Sequence, residues 1–294
     1  MIWLLVPLAL VGLWLFLIAP GRSYRAVRAP FEGRAYAHRG LYKLDQTIPE
    51  NSLTAFRRAV EQDYGAELDV QRTKDGRIVV FHDDSMQRAC GVEQAIRDFT
   101  YEELQAFPLF GTEERIPLFS DVLKIFDGRQ PLIVELKYGP DWRLLCEATR
   151  TMLDDYGGPA CVESFHPAMV RWFRKHDPDR LRGQLSEAVC FSRKNLPLPL
   201  AFMMSRLLTN FLTRPQFVAY RVGPKPLSVS VAEGMGAMKV LWTARERSEH
   251  AWHMKENHAV IFEGYRMRVR DLDGNDGRQP FADVLAGKVL LVVL

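Results

Sequence analysis

The sequence predicts an α/β chain folded as a parallel (β/α)8 barrel, with a segment inserted after the second strand and an apolar helix ahead of the first. Three observations predict it. Eight apolar, strand-like runs recur, near 34–38, 66–70, 132–137, 160–165, 181–185, 227–231, 239–243 and 259–263. Helical patterns lie between several of them. After the N-terminal stretch about 260 residues remain, the length of one such barrel.

Met1 to Ala19 carries no charged side chain and is dominated by Leu, Val, Ile and Trp. At about 1.5 Å per residue this is roughly 28 Å of helix, close to the roughly 30 Å of a bilayer core. No basic n-region precedes it and Pro20 sits where cleavage would occur, so residues 1–20 are expected to be a retained transmembrane helix. Arg22, Arg25 and Arg28 follow. The positive-inside tendency then expects a single-pass membrane protein with the rest of the chain in the cytoplasm. Residues 21–32 read as a linker and 33–294 as the barrel.

After the first run, Ser52 can cap a helix to Asp63 whose stripe is Leu53, Phe56 and Val60. The second run carries Glu67 and Asp69, two apart on a strand and therefore on one face. It continues to Asp75-Gly76, a strong hairpin signal, and returns through Ile78-Val79-Val80. A two-residue turn there pairs positions summing to 151, which sets His82 opposite Asp69. About 83–130 reads as an insertion beside the site, with helical pieces at Tyr101–Leu104 and Ser120–Phe126. Glu135 and Lys137 share one face of the third run, and a buried strand with Glu and Lys on one face is rarely only structural.

About 196–221 forms an amphipathic segment. Between Pro199 and Pro215, Ser205, Arg206, Thr209, Asn210 and Thr213 make a narrow polar stripe on an otherwise apolar helix. One reading buries the apolar face on the barrel. The other lays it on a lipid surface, with Arg206, Arg214 and Arg221 near headgroups.

Two imidazoles (His38, His82), clustered carboxylates (Glu67, Asp69, Glu135) and an adjacent Arg39 and Lys137 are the equipment for hydrolysing a phosphodiester with a hard cation. These residues lie in a pattern that resembles the glycerophosphodiester phosphodiesterase family. It runs through His38-Arg39-Gly40, Pro49-Glu50-Asn51-Ser52, Glu67-Leu68-Asp69, Thr73-Lys74-Asp75-Gly76, His82-Asp83, Glu135-Leu136-Lys137, Ser164-Phe165 and Trp242-Thr243. The order and spacing of these pieces are specific, and they cover most of residues 33 to 263. The resemblance implies a TIM-type barrel and a divalent cation held by Glu67, Asp69 and Glu135. It further implies His38 and His82 as the general acid/base pair, Arg39 and Lys137 on the phosphate, and Trp242 lining the substrate pocket. The chain departs from the family where many members read Ile-Thr-Asp-Pro and it reads Ile261-Phe262-Glu263-Gly264, which bears on the last strand more than on the chemistry.

The expected reaction is hydrolysis of a glycerophosphodiester to glycerol phosphate and an alcohol. All-carboxylate ligands point to Mg²⁺ or Ca²⁺. A variant acts on membrane lysophospholipids as a lysophospholipase D, through a cyclic phosphate. A reading of another class keeps the barrel as a membrane-tethered lipid-binding module without catalysis. Four cysteines without CxxC spacing fit unpaired thiols. His250, His253 and His258 read as packing or surface residues, and Asp271–Asp276 reads as a polar turn lacking a calcium loop's glycine and closing Glu. A net charge of +3, dispersed, gives no reason to expect nucleic acid. No obligate protein partner is inferred.

Overall fold

The computed structural model describes residues 2–192 and 197–266. Its strands are β1 (Arg34–His38), β2 (Gly65–Arg72) with an antiparallel hairpin partner β3 (Ile78–Val80), β4 (Leu132–Leu136), β5 (Ala160–Ser164), β6 (Arg182–Ser186), β7 (Phe217–Arg221), β8 (Met238–Ala244) and β9 (Ala259–Phe262). All but β3 are parallel, and β1 pairs with both β9 and β2, which closes an eight-stranded barrel.

Successive side chains of a strand face opposite ways, so each strand serves two cores. Tyr36, Ile133, Cys161, Phe217, Met238 and Ile261 fill the barrel interior. Ala37, Leu68, Val134 and Val162 face outward and pack with helices such as Leu53–Glu61, Trp142–Tyr156 and Pro167–His176. The interior is tight enough that a Cβ on Gly183 would lie 2.0 Å from the Phe217 ring. Ser52 caps the Leu53–Glu61 helix as expected, its hydroxyl accepting from the Ala55 N–H at 3.2 Å.

Seven expected strand runs coincide with strands, and one does not. Residues 227–231 lie in a helix, Leu227–Gly234, and the seventh strand is Phe217–Arg221. The alternation Leu-Ser-Val-Ser-Val mimics a strand. Yet the helix it forms is the crossover from β7 to β8, which a parallel barrel requires on its outer face.

The hairpin register is also one residue from expectation. Val70 faces Val80 and Arg72 faces Ile78. The Thr73 N–H donates to Arg77 O, and Gly76, at φ +85°, closes a three-residue loop of Lys74, Asp75 and Gly76. Phe81 rather than His82 therefore stands across from Asp69, its N–H donating to Asp69 O at 2.9 Å.

The expected transmembrane helix, and with it the single-pass membrane placement and cytoplasmic orientation, is overturned. No helix among the described residues is long and apolar enough to cross a membrane. The N-terminal helix is Ile2–Ile18, 17 residues, about 26 Å at the usual rise, and its last turn is taken up by the barrel. Ile18 is buried, its carbonyl accepting from Asn210 Nδ2 at 3.0 Å, while Phe16 meets Phe211 and lies under the Arg214 guanidinium.

Nor is the amphipathic segment one helix. It divides into Leu198–Ser205 and Asn210–Thr213, with Leu207 at φ +57° between them, and continues into β7. Its polar residues point inward. Ser205, Thr209, Asn210 and Thr213 are buried while Leu198, Leu200, Phe202 and Met203 are exposed. Ser205 Oγ donates to Phe202 O within its own turn, while Asn210 reaches across the fold to the end of the N-terminal helix. Asp271–Asp276 lies outside the described residues.

Candidate active site

His38 ends β1, Glu67 and Asp69 lie on β2, and Glu135 lies on β4; the parallel register sets His38 beside Glu67 and Asp69 beside Glu135. One oxygen from each of Glu67, Asp69 and Glu135 lies within 4.8 Å of the others, and all three residues are buried. His38 Nε2 is 3.8 Å from Glu67 Oε2. His82 reaches the cluster despite the shifted register, because β3 ends at Val80 and the chain leaves the ladder after Phe81. Its ring is close enough for its charge to act on both Asp69 and Glu135. The structure thus brings together every expected acid/base and carboxylate residue.

Arg39 and Lys137 are braced against the same carboxylates. Lys137 Nζ donates to Glu135 at 2.9 Å and to Asp69 at 3.3 Å. The Arg39 N–H donates to Glu67 and its NH1 to Glu50, while its Nε, buried and 3.6 Å from Asp69, has no hydrogen-bond partner among the described residues. Arg39 sits at φ +54°, a conformation that non-glycine residues rarely hold and that clusters at functional sites. Trp242, on β8, donates from Nε1 to Ala219 O and meets Phe165 edge-on with centroids 5.7 Å apart.

Crowding like charges in a dry site perturbs their protonation. Burial pushes the Glu67 carboxyl well above the usual carboxylate range, with Asp69, Glu135 and Glu163 adding to the push and Arg39 opposing it. Burial also raises Glu135, against the attraction of Lys137. Asp69 goes the other way: burial works to raise it, but Lys137, His82, Arg39 and the hydrogen bond from Asn51 together hold it well below the ordinary value. Lys137 is held charged by Glu135 and Asp69 in spite of burial. For His38, burial and Arg39 lower the pKa, while Glu263 and Asp69 oppose them.

Several residues of the site escaped sequence reasoning. Glu263, just past β9, shares a hydrogen bond with His38 Nδ1 at 2.5 Å and also takes bonds from the Tyr42 hydroxyl and Arg245 Nε. Asp83 likewise pairs with His82 Nδ1 at 2.6 Å. Arg88, on the short helix Gln87–Cys90 of the insertion, clasps both Asp83 and Glu50 and so places the insertion beside the site. Asn51, at φ +55°, donates to Asp69 at 3.0 Å. Glu163 lies next to Glu135 on β5. A Glu inside an apolar strand, the signal that revealed Glu135, would have found Glu163 as well. Glu263 carried its signal in the departure Ile261-Phe262-Glu263-Gly264.

A family model of the glycerophosphoryl diester phosphodiesterase family matches residues 38–262, most of the chain. The chain belongs to this family. The phosphodiesterase match starts at His38 and ends with β9, so it takes in all of the residues above except Glu263. Among curated relatives, a glycerophosphodiester phosphodiesterase of Caldanaerobacter subterraneus subsp. tengcongensis is 40% identical over 111 residues, 35% of this chain and 44% of that relative. One of Bacillus altitudinis is 36% identical over 160 residues, 49% of this chain and 63% of that relative. Human lysophospholipase D GDPD1 is 31% identical over 141 residues, 44% of each. The chain therefore aligns with less than two thirds of the length of these relatives. Among solved structures, an Oleispira antarctica phosphodiesterase in complex with the product sn-glycerol-3-phosphate superposes with a TM-score of 0.66 at 19% identity, over 86% of this chain and 99% of that one. A Silicibacter pomeroyi structure superposes with a TM-score of 0.64 at 22% identity, over 90% of this chain and 98% of that one. Both show the same barrel fold.

Proposed function

We propose that this chain hydrolyses glycerophosphodiesters to glycerol phosphate and an alcohol, with His38 and His82 as acid/base pair and a divalent cation on Glu67, Asp69 and Glu135. The observation that carries the reading is the paired support of the two imidazoles. Each has its Nδ1 bonded to a carboxylate, Glu263 for His38 and Asp83 for His82, and His38 lies against Glu67 of the cluster. A carboxylate on Nδ1 fixes the ring's orientation and leaves Nε2 to exchange a proton with substrate.

The donor set fits a hard cation: clustered carboxylate oxygens, mutually repelling and buried, with the Asn51 amide alongside. When bound, Mg²⁺ or Ca²⁺ supplies positive charge to a non-bridging phosphoryl oxygen. The Arg39 Nε–H, ion-paired with Asp69 at 3.6 Å but without a hydrogen-bond partner among the described residues, is available to another such oxygen, and the Lys137 ammonium adds fixed charge where the transition state gathers negative charge. One imidazole takes the proton of the attacking oxygen and the other returns one to the departing alcohol. Trp242 and Phe165 supply an apolar wall for the substrate's carbon skeleton.

A second reading, lysophospholipase D action with the substrate's own hydroxyl as nucleophile, is favoured by the likeness to human lysophospholipase D GDPD1. The exposed Phe191, Leu198, Phe202 and Met203 also belong to the connection after β6, on the end of the barrel that carries the site, where an acyl chain could lie.

Phosphorus NMR on a mixture of glycerophosphoethanolamine and lysophosphatidylethanolamine, with Mg²⁺ or Ca²⁺ and a chelator control, tests both. Chelator-sensitive conversion of the first diester to glycerol phosphate supports the main reading. Loss of the second, with lysophosphatidate or a cyclic phosphate appearing, supports the other. Equal conversion with and without chelator removes the metal from the reaction.

A further inference from the structure

A fourth carboxylate stands beside the cluster and has no role in the chemistry above. Glu163 on β5 is the register partner of Glu135 on β4 and is 1% exposed. Two residues back on the same strand face, Cys161 packs among the apolar side chains that fill the barrel, Tyr36, Ile133 and Phe217 with it. Glu163 therefore lies at the level where the apolar interior gives way to the charged mouth.

Its bonding differs from that of its neighbours. Glu67 accepts from the Arg39 N–H, Asp69 from Asn51 and Glu135 from Lys137. Glu163 Oε2 is buried with no hydrogen-bond partner among the described residues. A buried carboxylate oxygen without a donor is costly and calls for a compensating charge or proton. The close-set oxygens are those of Glu67, Asp69 and Glu135, so Glu163 is not placed as a further direct ligand. It is placed to act on whatever charge those three hold, since it is the cross-strand neighbour of Glu135 at the same level of the barrel. The balance of charge points the same way. With all four ionised, as a bound cation favours, Glu67, Asp69, Glu135 and Glu163 outnumber the neighbouring cations Arg39 and Lys137 by two, the charge one divalent cation carries. Glu50, which also binds Arg39, is matched by Arg88.

We propose that Glu163 is an outer carboxylate of the divalent-cation site, tightening cation binding without ligating the ion directly. The proposal rests on the metal reading above. In exchange, the metal-free chain carries an uncompensated buried acid. A role in packing alone predicts the opposite pattern, because Gln fills the same space and would leave cation affinity untouched.

The test is calorimetric titration of Mg²⁺, and separately Ca²⁺, into the chelator-stripped full chain as wild type, Glu163→Gln and Glu163→Asp, with melting temperatures of each metal-free form. Glu163→Gln is expected to bind about tenfold more weakly, as loss of outer partners of a metal site typically does. Its metal-free melting temperature should be no lower than that of wild type, and Glu163→Asp, which keeps the charge, should recover most of the affinity. Wild-type affinity in Glu163→Gln overturns this proposal alone. Failure of the wild type to bind either cation overturns the metal reading and this proposal together.

Discussion

Deep in the barrel Tyr36, Ile133, Cys161, Ala219, Val240 and Ile261 touch one another with no charge among them. Two residues further along the same strand faces stand His38, Glu135, Glu163, Arg221, Trp242 and Glu263. All eight strands run in one direction, so a two-residue step toward the C-terminal end changes the whole layer at once. The lower layer is held by close packing, which tolerates no loss of volume. In the upper layer like charges are buried together and only partly answered by Arg39 and Lys137, an arrangement that makes sense as preparation for a cation and a phosphate.

Substitutions in the two layers should separate cleanly. His82→Ala is expected to lower turnover of a glycerophosphodiester by about 10²–10⁴-fold, the usual worth of a general acid or base, with denaturant midpoint nearly unchanged. Retained turnover in that variant would remove His82 from the chemistry. Phe217→Ala, two layers down, should cost about 3–5 kcal/mol of stability, read by urea unfolding. Under folding conditions its residual activity should report folded fraction only.

Glu263→Gln sharpens the comparison within the upper layer. Loss of the charge beside Nδ1 removes an influence that raises the His38 pKa. The limb of the pH–rate profile governed by His38 should therefore move to lower pH, with turnover down about tenfold as for loss of other orienting partners. A profile superimposable on wild type would confine Glu263 to packing.

The smallest effect is on stability against pH. Glu67, Glu135 and Glu163 have folded pKa values raised above the ordinary carboxylate range, so above that range the folded state holds more protons than the unfolded state and stability falls as pH rises. The lowered pKa of His38 works in the other direction, but only below its ordinary value of 6.5. Asp69 and Glu263, both depressed, contribute stability above the ordinary carboxylate range that is lost only as acid takes the pH below it. From about pH 6.5 upward the melting temperature of the metal-free chain should decline until the raised carboxyls have ionised, and added Mg²⁺ or Ca²⁺ should flatten that decline. A metal-free melting curve independent of pH in this range would contradict the raised carboxyls.

Most of the site was legible because its chemistry sits on strand ends. The i, i+2 spacing of Glu67 with Asp69 and of Glu135 with Lys137 states which residues share a face, and the structure agrees. The turn at Asp75-Gly76 is a three-residue loop rather than the expected two-residue one, so the register is one residue off, yet His82 follows directly where the ladder stops at Phe81. β7 was hidden for a different reason. Phe217-Val218-Ala219-Tyr220 closes an apolar stretch that reads as helix, while Leu227–Val231 alternates like a strand and is helical. Periodicity over five residues cannot tell these apart. The barrel can, because a strand must pair on both sides.

Residue type, spacing and order were enough to specify an α/β barrel, its apolar and charged strand faces and the carboxylates Glu67, Asp69 and Glu135 that gather at its mouth, since these depend on local geometry with fixed periods. Packing across the barrel settled the rest. It seated the last turn of the N-terminal helix on Asn210 and Arg214, turned the polar side of 198–213 inward, and brought Glu263 to His38 across 225 residues of chain. Contacts between segments so far apart follow from closure of the ring, and no local pattern encodes them.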